Sequence, residues 1–355
     1  MIKRRITKAV RIGSVTIGNG ERIAVQSMTN TETADKIATL SQINSLAECG
    51  CDIVRMTVNT GEAAENVGWL VERSPVPLVA DIHFDYRLAI RCAESGIHKI
   101  RFNPGNIGSD DRVKALTDAC KKSGTAIRVG VNSGSLEKTI LEKYGAPTAE
   151  ALAESAMYHV RLLENFDFDD IVISAKSSDV ATTIQAYRLL SQMTDRPLHI
   201  GVTESGTTNG GVIKSAIGIG SLLADGIGDT IRVSLTGDPL NEVPAAKNIL
   251  HALSLDDGIN LVSCPTCGRT KYDMVPLVTE LERRLRDYKV DRPFTVAVMG
   301  CVVNGPGEAK NADIGIAGGV NEGILLKKGI PIRRVPESEM LDALLTEIDE
   351  MVRNG

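Results

Sequence analysis

Short runs of β-forming residues alternate, over residues 23 to 255, with stretches whose apolar positions recur at helical spacing. Eight such runs occur, each ending in polar residues: 23–28, 52–58, 77–83, 99–103, 126–132, 170–176, 198–204 and 229–235. Helical patterns such as 35–48, 149–164 and 179–193 separate them. Eight strand–helix units predict a (β/α)8 TIM barrel, which typically occupies about 250 residues.

An open, doubly wound sheet is the structural alternative to the barrel. It usually has fewer strands, and no glycine-rich dinucleotide fingerprint follows the first run. Before the first run, the pattern of residues 5–24 around Gly13 and Asn19-Gly20 predicts a hairpin that caps one end of the barrel.

The strand–helix repeat ends at Gly258, and a different pattern follows. Residues 258–355 contain helical patterns near 274–288 and 337–351 and a buried strand within 294–303. We therefore predict an α/β chain of two domains: a substrate-binding TIM barrel with its N-terminal hairpin at 1–257, and a smaller α+β domain at 258–355.

Charge and the length of apolar segments limit which partners and which cellular compartment we expect for this protein. A net charge of -5 argues against a general nucleic-acid binder. No apolar segment of signal-peptide length follows the basic start, and the longest apolar run, 294–303, is too short to cross a bilayer. We expect a cytoplasmic protein with no nucleic-acid or membrane partner. Of seven cysteines, four are predicted to be small core residues: Cys49, Cys51, Cys92 and Cys120.

The other three cysteines form a candidate metal site. They stand in Cys264-Pro-Thr-Cys267 and at the start of Cys301-Val-Val-Asn-Gly-Pro-Gly-Glu308. Three thiolates leave one position for another ligand, and the glycines around Pro306 allow a sharp turn that returns Glu308 toward Cys301. From spacing alone, an iron–sulfur cluster, a structural zinc site and a turn without metal all remain open.

A second candidate site lies where the predicted barrel strands end. Active sites of TIM barrels are built at the carboxyl ends of the strands. Five cations lie near those ends: Arg55, Arg101, Arg128, Lys176 and Arg232. The neighbouring acids Asp81 and Glu204 are too few to neutralise them, and guanidinium groups match phosphate oxygens in pairs. We predict that the five cations bind a diphosphate.

Further polar residues at the same strand ends add to this site: Asp81, His83, Asn103, Asn132 and Ser234. A single histidine on a strand is more often structural than functional, but the polar residues around His83 favour a functional role for it. Glu204 is either a counter-ion for the cations or a proton donor or acceptor beside the substrate.

Six segments together resemble a known family, and the match extends nearly end to end. The segments are Val-Ala-Asp-Ile-His83, Ile-Arg-Phe-Asn-Pro-Gly-Asn106, Arg-Val-Gly-Val-Asn132-Ser-Gly-Ser-Leu, Gly-Val-Thr-Glu204, Ser-Cys264-Pro-Thr-Cys267-Gly-Arg and Gly-Cys301-Val-Val-Asn-Gly-Pro-Gly-Glu308. The chain resembles the bacterial 4-hydroxy-3-methylbut-2-enyl diphosphate synthase family, and the last two motifs are highly specific in combination.

The resemblance implies that the second domain binds a [4Fe-4S] cluster through Cys264, Cys267, Cys301 and Glu308. It implies the substrate 2-C-methyl-D-erythritol 2,4-cyclodiphosphate, which is reductively opened and dehydroxylated to (E)-4-hydroxy-3-methylbut-2-enyl diphosphate in the non-mevalonate isoprenoid pathway. We hypothesise that Glu308, the weakest ligand, yields its iron to a substrate oxygen, and that Glu204 manages a proton.

The resemblance also implies partners. A homodimer is expected, in which the cluster domain of one chain covers the barrel of the other, so that the active site is shared. Reduced flavodoxin or ferredoxin is the expected electron donor. The main alternative is a zinc-thiolate group transferase on a barrel like that of pterin-binding synthases; a non-catalytic zinc module is a third possibility.

Overall fold

The computed structural model describes residues 2–103, 108–285, 288–290, 292–301, 307 and 309–353. The chain divides into two compact units, Met1–Ile249 and Leu250–Gly355. The proposed domain boundary after residue 257 lies a few residues farther along the chain than this division.

The first unit is a parallel barrel, as the alternating pattern predicted. A hairpin of β1 (Val10–Ile12) and β2 (Val15–Ile17) precedes the barrel. The eight barrel strands are β3 (Ala24–Met28), β4 (Ile53–Thr57), β5 (Leu78–Asp81), β6 (Lys99–Phe102), β7 (Ala126–Asn132), β8 (Ile171–Lys176), β9 (His199–Ile200) and β10 (Thr230–Ile231). Their order in the sheet is β8-β7-β6-β5-β4-β3-β10-β9. A parallel bridge between Ile173 and Leu198 brings the two edges together, so the barrel is nearly closed.

Helices follow the strands around the outside of the barrel. They are α1 (Lys36–Glu48), α2 (Gly61–Arg73), α3 (Tyr86–Glu94), α4 (Asp110–Ser123), α5 (Lys138–Tyr144), α6 (Ala149–Asn165), α7 (Val180–Met193), α8 (Thr208–Ala224) and α9 (Glu242–Ala252). Several begin at a side chain that accepts a hydrogen bond from the first turn, such as Asp35 from Ala38 N at 3.0 Å and Thr60 from Ala63 N at 3.1 Å. These caps fix the point at which each loop ends.

The hairpin closes the amino-terminal end of the barrel. Its inward side chains, Val10, Ile12 and Ile17, are buried in one cluster with residues at or near the starts of the strands: Ala24, Ile53, Val79, Ala126 and Val172. This apolar layer is the floor of the barrel. Because side chains alternate along a strand, the next inward residues of each strand face the interior above this floor.

The second unit contains a five-stranded sheet. Its strands are β11 (Ile259–Ser263), β12 (Phe294–Met299), β13 (Ile314–Gly318), β14 (Glu322–Lys327) and β15 (Ile330–Pro336), in that order. The first three are parallel, and β14 and β15 continue antiparallel. Helices α10 (Met274–Leu285) and α11 (Met340–Arg353) contribute Leu281, Leu344 and Ile348 to the larger core cluster on this sheet.

The sequence pattern predicted both helices and β12, but not β11, β13, β14 or β15. Cys51, Cys92 and Cys120 are buried as predicted, whereas Cys49 is exposed at the carboxyl end of α1, so its assignment to the core was wrong. None of the helices in the described ranges combines the length and the apolar character needed to cross a membrane.

Candidate active site

Strand register brings the predicted cations together inside the barrel. Arg101 on β6 pairs with Asp81 on β5 and with Arg128 on β7, and paired residues of parallel strands point to the same face. Two glycines make room for them. A Cβ at Gly130 would lie 2.3 Å from Arg101 Nε, and a Cβ at Gly201 would lie 2.8 Å from Lys176 Nζ. Larger residues at these positions would displace the two cations.

Asp81 is the buried carboxylate that orders one side of this group. It accepts from Arg101 Nη1 at 3.0 Å, and its other oxygen lies 3.7 Å from Arg55 Nε and 3.9 Å from His83 Nε2. Burial by itself raises the pKa of Asp81, but Arg55 and Arg101 lower it to about 2. Asp81 therefore stays ionised and holds the two arginines in place.

Glu242 holds Arg232 in place, as Asp81 holds Arg55 and Arg101. Glu242 was not among the predicted site residues. It lies at the start of α9, where its two carboxylate oxygens accept from Arg232 Nε and Nη2, each at 3.1 Å. Ser27 Oγ and the Leu235 backbone N–H also donate to this carboxylate, which is almost wholly buried. A glutamate at the first turn of the helix after the last strand is the signal that could have identified it.

Arg128 and Lys176 lie deeper than the other cations. Arg128 is 1% exposed and Lys176 is 8% exposed. Burial and the neighbouring arginines lower the pKa of both groups well below their ordinary values. A bound polyanion would offset the repulsion between these cations and favour their charged forms.

His199, at the start of β9, was not among the predicted site residues. Its Nε2 lies 3.5 Å from Lys176 Nζ, and its Nδ1 lies 2.6 Å from Thr230 Oγ1. Burial and the nearby cations lower its pKa far below the usual range, so the ring is neutral and its Nε2 can accept from Lys176. Its position on the inward face of the strand was the available signal.

The remaining predicted residues occupy different positions. The Asn132 amide, in the orientation that satisfies both of its ends, accepts from Arg101 Nη2 at 3.2 Å. Asn103 is buried and donates to the Ser135 backbone oxygen at 3.2 Å, and Ser234 is half-buried. Glu204 is exposed, and no hydrogen bond or ion pair within the described ranges joins it to the cations. Its backbone φ is +52°, a left-handed conformation that is uncommon for glutamate.

The barrel interior therefore contains more positively than negatively charged side chains. The five predicted cations share two buried carboxylates, Asp81 and Glu242, and no ion pair in the described ranges joins the exposed Glu204 to them. Arg55 remains charged at neutral pH even though burial lowers its pKa to about 10. Such an excess of buried positive charge is costly without a bound anion, and forked guanidinium groups suit phosphate oxygens.

The second unit gathers the candidate metal ligands by strand register. The parallel strands β11 and β12 pair Ser263 with Val298, so Cys264 and Cys301 leave neighbouring strands at the same end of the sheet. The loop after Cys264 is bonded to the segment before Cys301: Gly300 N–H donates to Cys264 Sγ at 3.0 Å, and Lys271 N–H donates to Gly300 O at 3.3 Å.

The donor set suits a thiolate-bound metal centre. The structure contains Cys264, Cys267 and Cys301 as reduced thiols, and hydrogen bonds from Arg269 lower the pKa of Cys267. Glu308 lies outside the described residues. Among the residues that are described, no three histidine, cysteine or acidic side chains stand at metal-ligating distance.

These features define a class of protein: a TIM barrel whose interior is rich in buried cations, followed by an α+β domain with three cysteines on its loops. The chain belongs to the GcpE family. The model of the GcpE TIM-barrel domain matches residues 7–247, and that of the GcpE protein C-terminal domain matches residues 260–350. The resemblance stated from the sequence motifs is thereby confirmed.

Full-length relatives carry one name. A protein from Ruminiclostridium cellulolyticum is 56% identical over 351 residues, covering 99% of both chains, and one from Geobacter sulfurreducens is 55% identical over 347 residues, covering 98% of both. Each is named 4-hydroxy-3-methylbut-2-en-1-yl diphosphate synthase (flavodoxin). Among solved structures, the 3-dehydroquinate dehydratase of Geobacillus kaustophilus has a TM-score of 0.51 at 15% identity, covering 70% of this chain and 98% of that one, and shows the barrel fold alone.

Proposed function

We propose that this chain is an oxidoreductase that converts 2-C-methyl-D-erythritol 2,4-cyclodiphosphate to (E)-4-hydroxy-3-methylbut-2-enyl diphosphate in the non-mevalonate isoprenoid pathway. The observation that carries this proposal is the excess of buried cations over carboxylates in the barrel, in a chain that matches named relatives along its full length. The comparisons do not favour the zinc-thiolate transferase.

The barrel cations bind the cyclic diphosphate in this account. Arg101, Arg128, Lys176 and Arg232 supply charge-assisted hydrogen bonds to the phosphate oxygens, and Asp81 and Glu242 keep the arginines in position before the substrate arrives. His83, Asn103, Asn132 and Ser234 are the further proposed hydrogen-bond partners of the same substrate. Arg55, on the other side of Asp81, completes the anion site.

A [4Fe-4S] cluster is the proposed cofactor, with Cys264, Cys267, Cys301 and Glu308 as its ligands. When bound, such a cluster supplies electrons one at a time at low potential. Two observations support the proposal: Cys264 and Cys301 follow adjacent strands at the same end of the sheet, and hydrogen bonds from Arg269 lower the pKa of Cys267.

Glu204 is the proposed proton-handling residue. The reaction takes up two electrons and releases one oxygen as water, so it needs a proton donor. Glu204 lies after β9, near the carboxyl end of the barrel, and its left-handed backbone costs about 1 kcal/mol or more that a loop without a functional constraint could avoid. The exposed carboxyl group can exchange protons with solvent between turnovers.

The proposed partners are a reduced flavodoxin or ferredoxin and a second copy of the chain. The printed name of the relatives includes flavodoxin, which supports that donor. We further propose a homodimer in the cytoplasm whose active site is shared between chains. Mixing Cys264→Ala chains with Arg101→Ala chains should then give, at low substrate concentration, more activity than either variant alone; absence of this gain would contradict a shared site.

The central test is anaerobic turnover. Anaerobically purified protein should contain about four irons with sulfide and a broad visible absorption band, and should convert the cyclic diphosphate to the linear product when reduced flavodoxin is added. Protein that contains one colourless zinc, or iron-loaded protein that forms no product with either donor, would contradict the proposed function.

A further inference from the structure

Beneath the cations of the proposed substrate site lie two polar side chains that the proposed function does not use, Gln26 and Lys99, and they adjoin Arg128, one of the proposed substrate cations. Gln26, Lys99 and Arg128 are 1%, 0% and 1% exposed. Lys99 is in register with Val79 and Ala126, which belong to the apolar floor, so its side chain starts at the floor and faces the interior. Gln26 is the next inward residue after Ala24 on β3.

The three side chains are close to one another. Arg128 Nη1 donates to Gln26 Oε1 at 3.4 Å, so the amide oxygen of Gln26 is already used. Lys99 pairs with Ala126 on the neighbouring strand, and Arg128 is the next residue of that strand on the same face; after burial, the charge on Arg128 is the largest cause that lowers the pKa of Lys99. The long Lys99 side chain therefore extends from the floor toward Arg128.

Each of these side chains has a buried donor atom without an acceptor in the described part of the chain. The atoms are Gln26 Nε2, Lys99 Nζ and Arg128 Nε. A buried polar atom without a partner costs about 1–3 kcal/mol, and more when the group is charged. Three such atoms in one place indicate that something else accepts from them.

The chemistry of the three atoms points to an anion. All are donors, whereas a water molecule would have to direct its own two hydrogens to acceptors. The nearby carboxylates are occupied, since Asp81 accepts from Arg101 and Glu242 accepts from Arg232 and Ser27. A monatomic anion accepts from several donors, donates to none, and offsets the charge of Lys99 and Arg128.

We propose that Lys99 Nζ, Arg128 Nε and Gln26 Nε2 form a binding site for a halide-sized monovalent anion below the proposed diphosphate site. The ion balances charge in the barrel interior when no substrate is present, and it holds Arg128 through Nε while Nη1 bonds Gln26 and Nη2 remains available to the substrate. This inference goes beyond the proposed function, because the site would bind its anion whatever the enzyme reduces.

Bromide is the direct probe. Crystals of the substrate-free, cluster-loaded protein, grown in sodium bromide, should show an anomalous signal in contact with Lys99 Nζ, Arg128 Nε and Gln26 Nε2. Data collected above and below the bromine edge distinguish it from iron. Crystals of Lys99→Met should lack the signal, whereas Lys122→Met, which changes an exposed lysine of α4, should keep it. Ordered water at this position in the wild-type protein, or bromide at surface sites only, would overturn the proposal.

Thermal unfolding provides a test that does not depend on the variant's crystals. Raising chloride from about 10 mM to about 300 mM at constant ionic strength, with isethionate as the replacement, should raise the Tm by about 3 °C, because an ion that binds only the folded state stabilises it. Lys99→Met should lose this chloride-specific rise, and Lys122→Met should retain it. If the Tm of the wild-type protein were the same in chloride and in isethionate, the proposal would also be overturned.

Discussion

The barrel interior and the cysteine loops are assembled in different ways. In the barrel, side chains hold side chains: Asp81 binds Arg101 at 3.0 Å, and Glu242 binds Arg232 through two bonds of 3.1 Å. In the second unit, backbone pairing of β11 with β12 sets the positions of the cysteines, and no three ligand side chains within the described ranges meet at metal-binding distance.

This difference indicates which part of the proposed active site is already formed before its ligand binds. The proposed anion site of the barrel is preorganised by buried carboxylates, so binding a diphosphate would require little rearrangement. In the second unit the strands bring Cys264 and Cys301 to the same end of the sheet, and the proposed cluster would be the group that links the three thiols. Loss of a ligand should therefore affect the second site more than loss of a cation affects the first.

The largest expected effect comes from Cys301. The variant Cys301→Ala should lose the cluster and all measurable turnover, because two thiolates from one loop do not close the site. Iron and sulfide analysis of anaerobically purified protein measures this. Cys92→Ala is the matched control: Cys92 is buried in α3 of the barrel, so the protein with this substitution should keep its full iron content. Cluster retained in Cys301→Ala would remove Cys301 from the ligand set.

The sequence predicted the barrel well because its signals are local. Each strand is a short β-forming run, and the polar residues near the end of a run belong to the barrel mouth, which is how Arg101, Arg128 and Arg232 were found. Glu242 was missed because it reaches Arg232 from the helix after the last strand. His199 and Lys99 were missed because they stand at strand starts, where a barrel floor is usually apolar.

The second unit was harder to predict, for physical reasons. Strand β11 has little alternation, and β14 and β15 form a hairpin that was overlooked. Lys328-Gly329 between them has positive φ at both positions, as a tight hairpin turn requires, and was the available signal. The cysteine motifs were found by their spacing alone, while the distances between the sulfurs depend on loop conformation, which spacing does not specify.

Glu204→Gln should have the second largest effect. The amide keeps the size and backbone of glutamate but cannot donate a proton as an acid, so kcat should fall by about 10²–10⁴-fold. Steady-state kinetics with reduced flavodoxin should show a KM within about twofold of the wild type, with an unchanged iron content. Glu94→Gln, on the outside of the barrel in α3, is the control. Unaltered kcat in Glu204→Gln would exclude a role in proton transfer.

Arg101→Met should weaken substrate binding by a smaller factor. Losing one charge-assisted phosphate contact costs about 1.5–3 kcal/mol, or about 10–100-fold in kcat/KM, mostly through KM. The cluster spectrum should not change. The control is Arg188→Met, which removes an exposed arginine paired with Asp225. This variant should have the kinetics of the wild type. If both variants had the same KM as the wild type, Arg101 would not belong to the anion site.

The smallest effect concerns acid stability and Asp81. Its folded-state pKa, about 2, is below the ordinary value of 3.8, so the carboxylate stabilises the fold above about pH 4 and this stabilisation is lost as the pH falls toward 2. It amounts to about 2 kcal/mol. Urea unfolding at several pH values measures it. Asp81→Asn should be less stable at pH 7 and should lack this part of the acid dependence; an identical pH profile would contradict the assigned ion pairs.

The most direct test of the account is a crystal structure of the anaerobically purified protein with 2-C-methyl-D-erythritol 2,4-cyclodiphosphate. The account predicts both phosphate groups inside the barrel, bonded to Arg101, Arg128, Lys176 and Arg232, with Asp81 and Glu242 still holding their arginines. A substrate bound elsewhere, with the buried cations contacting only protein groups, would contradict it.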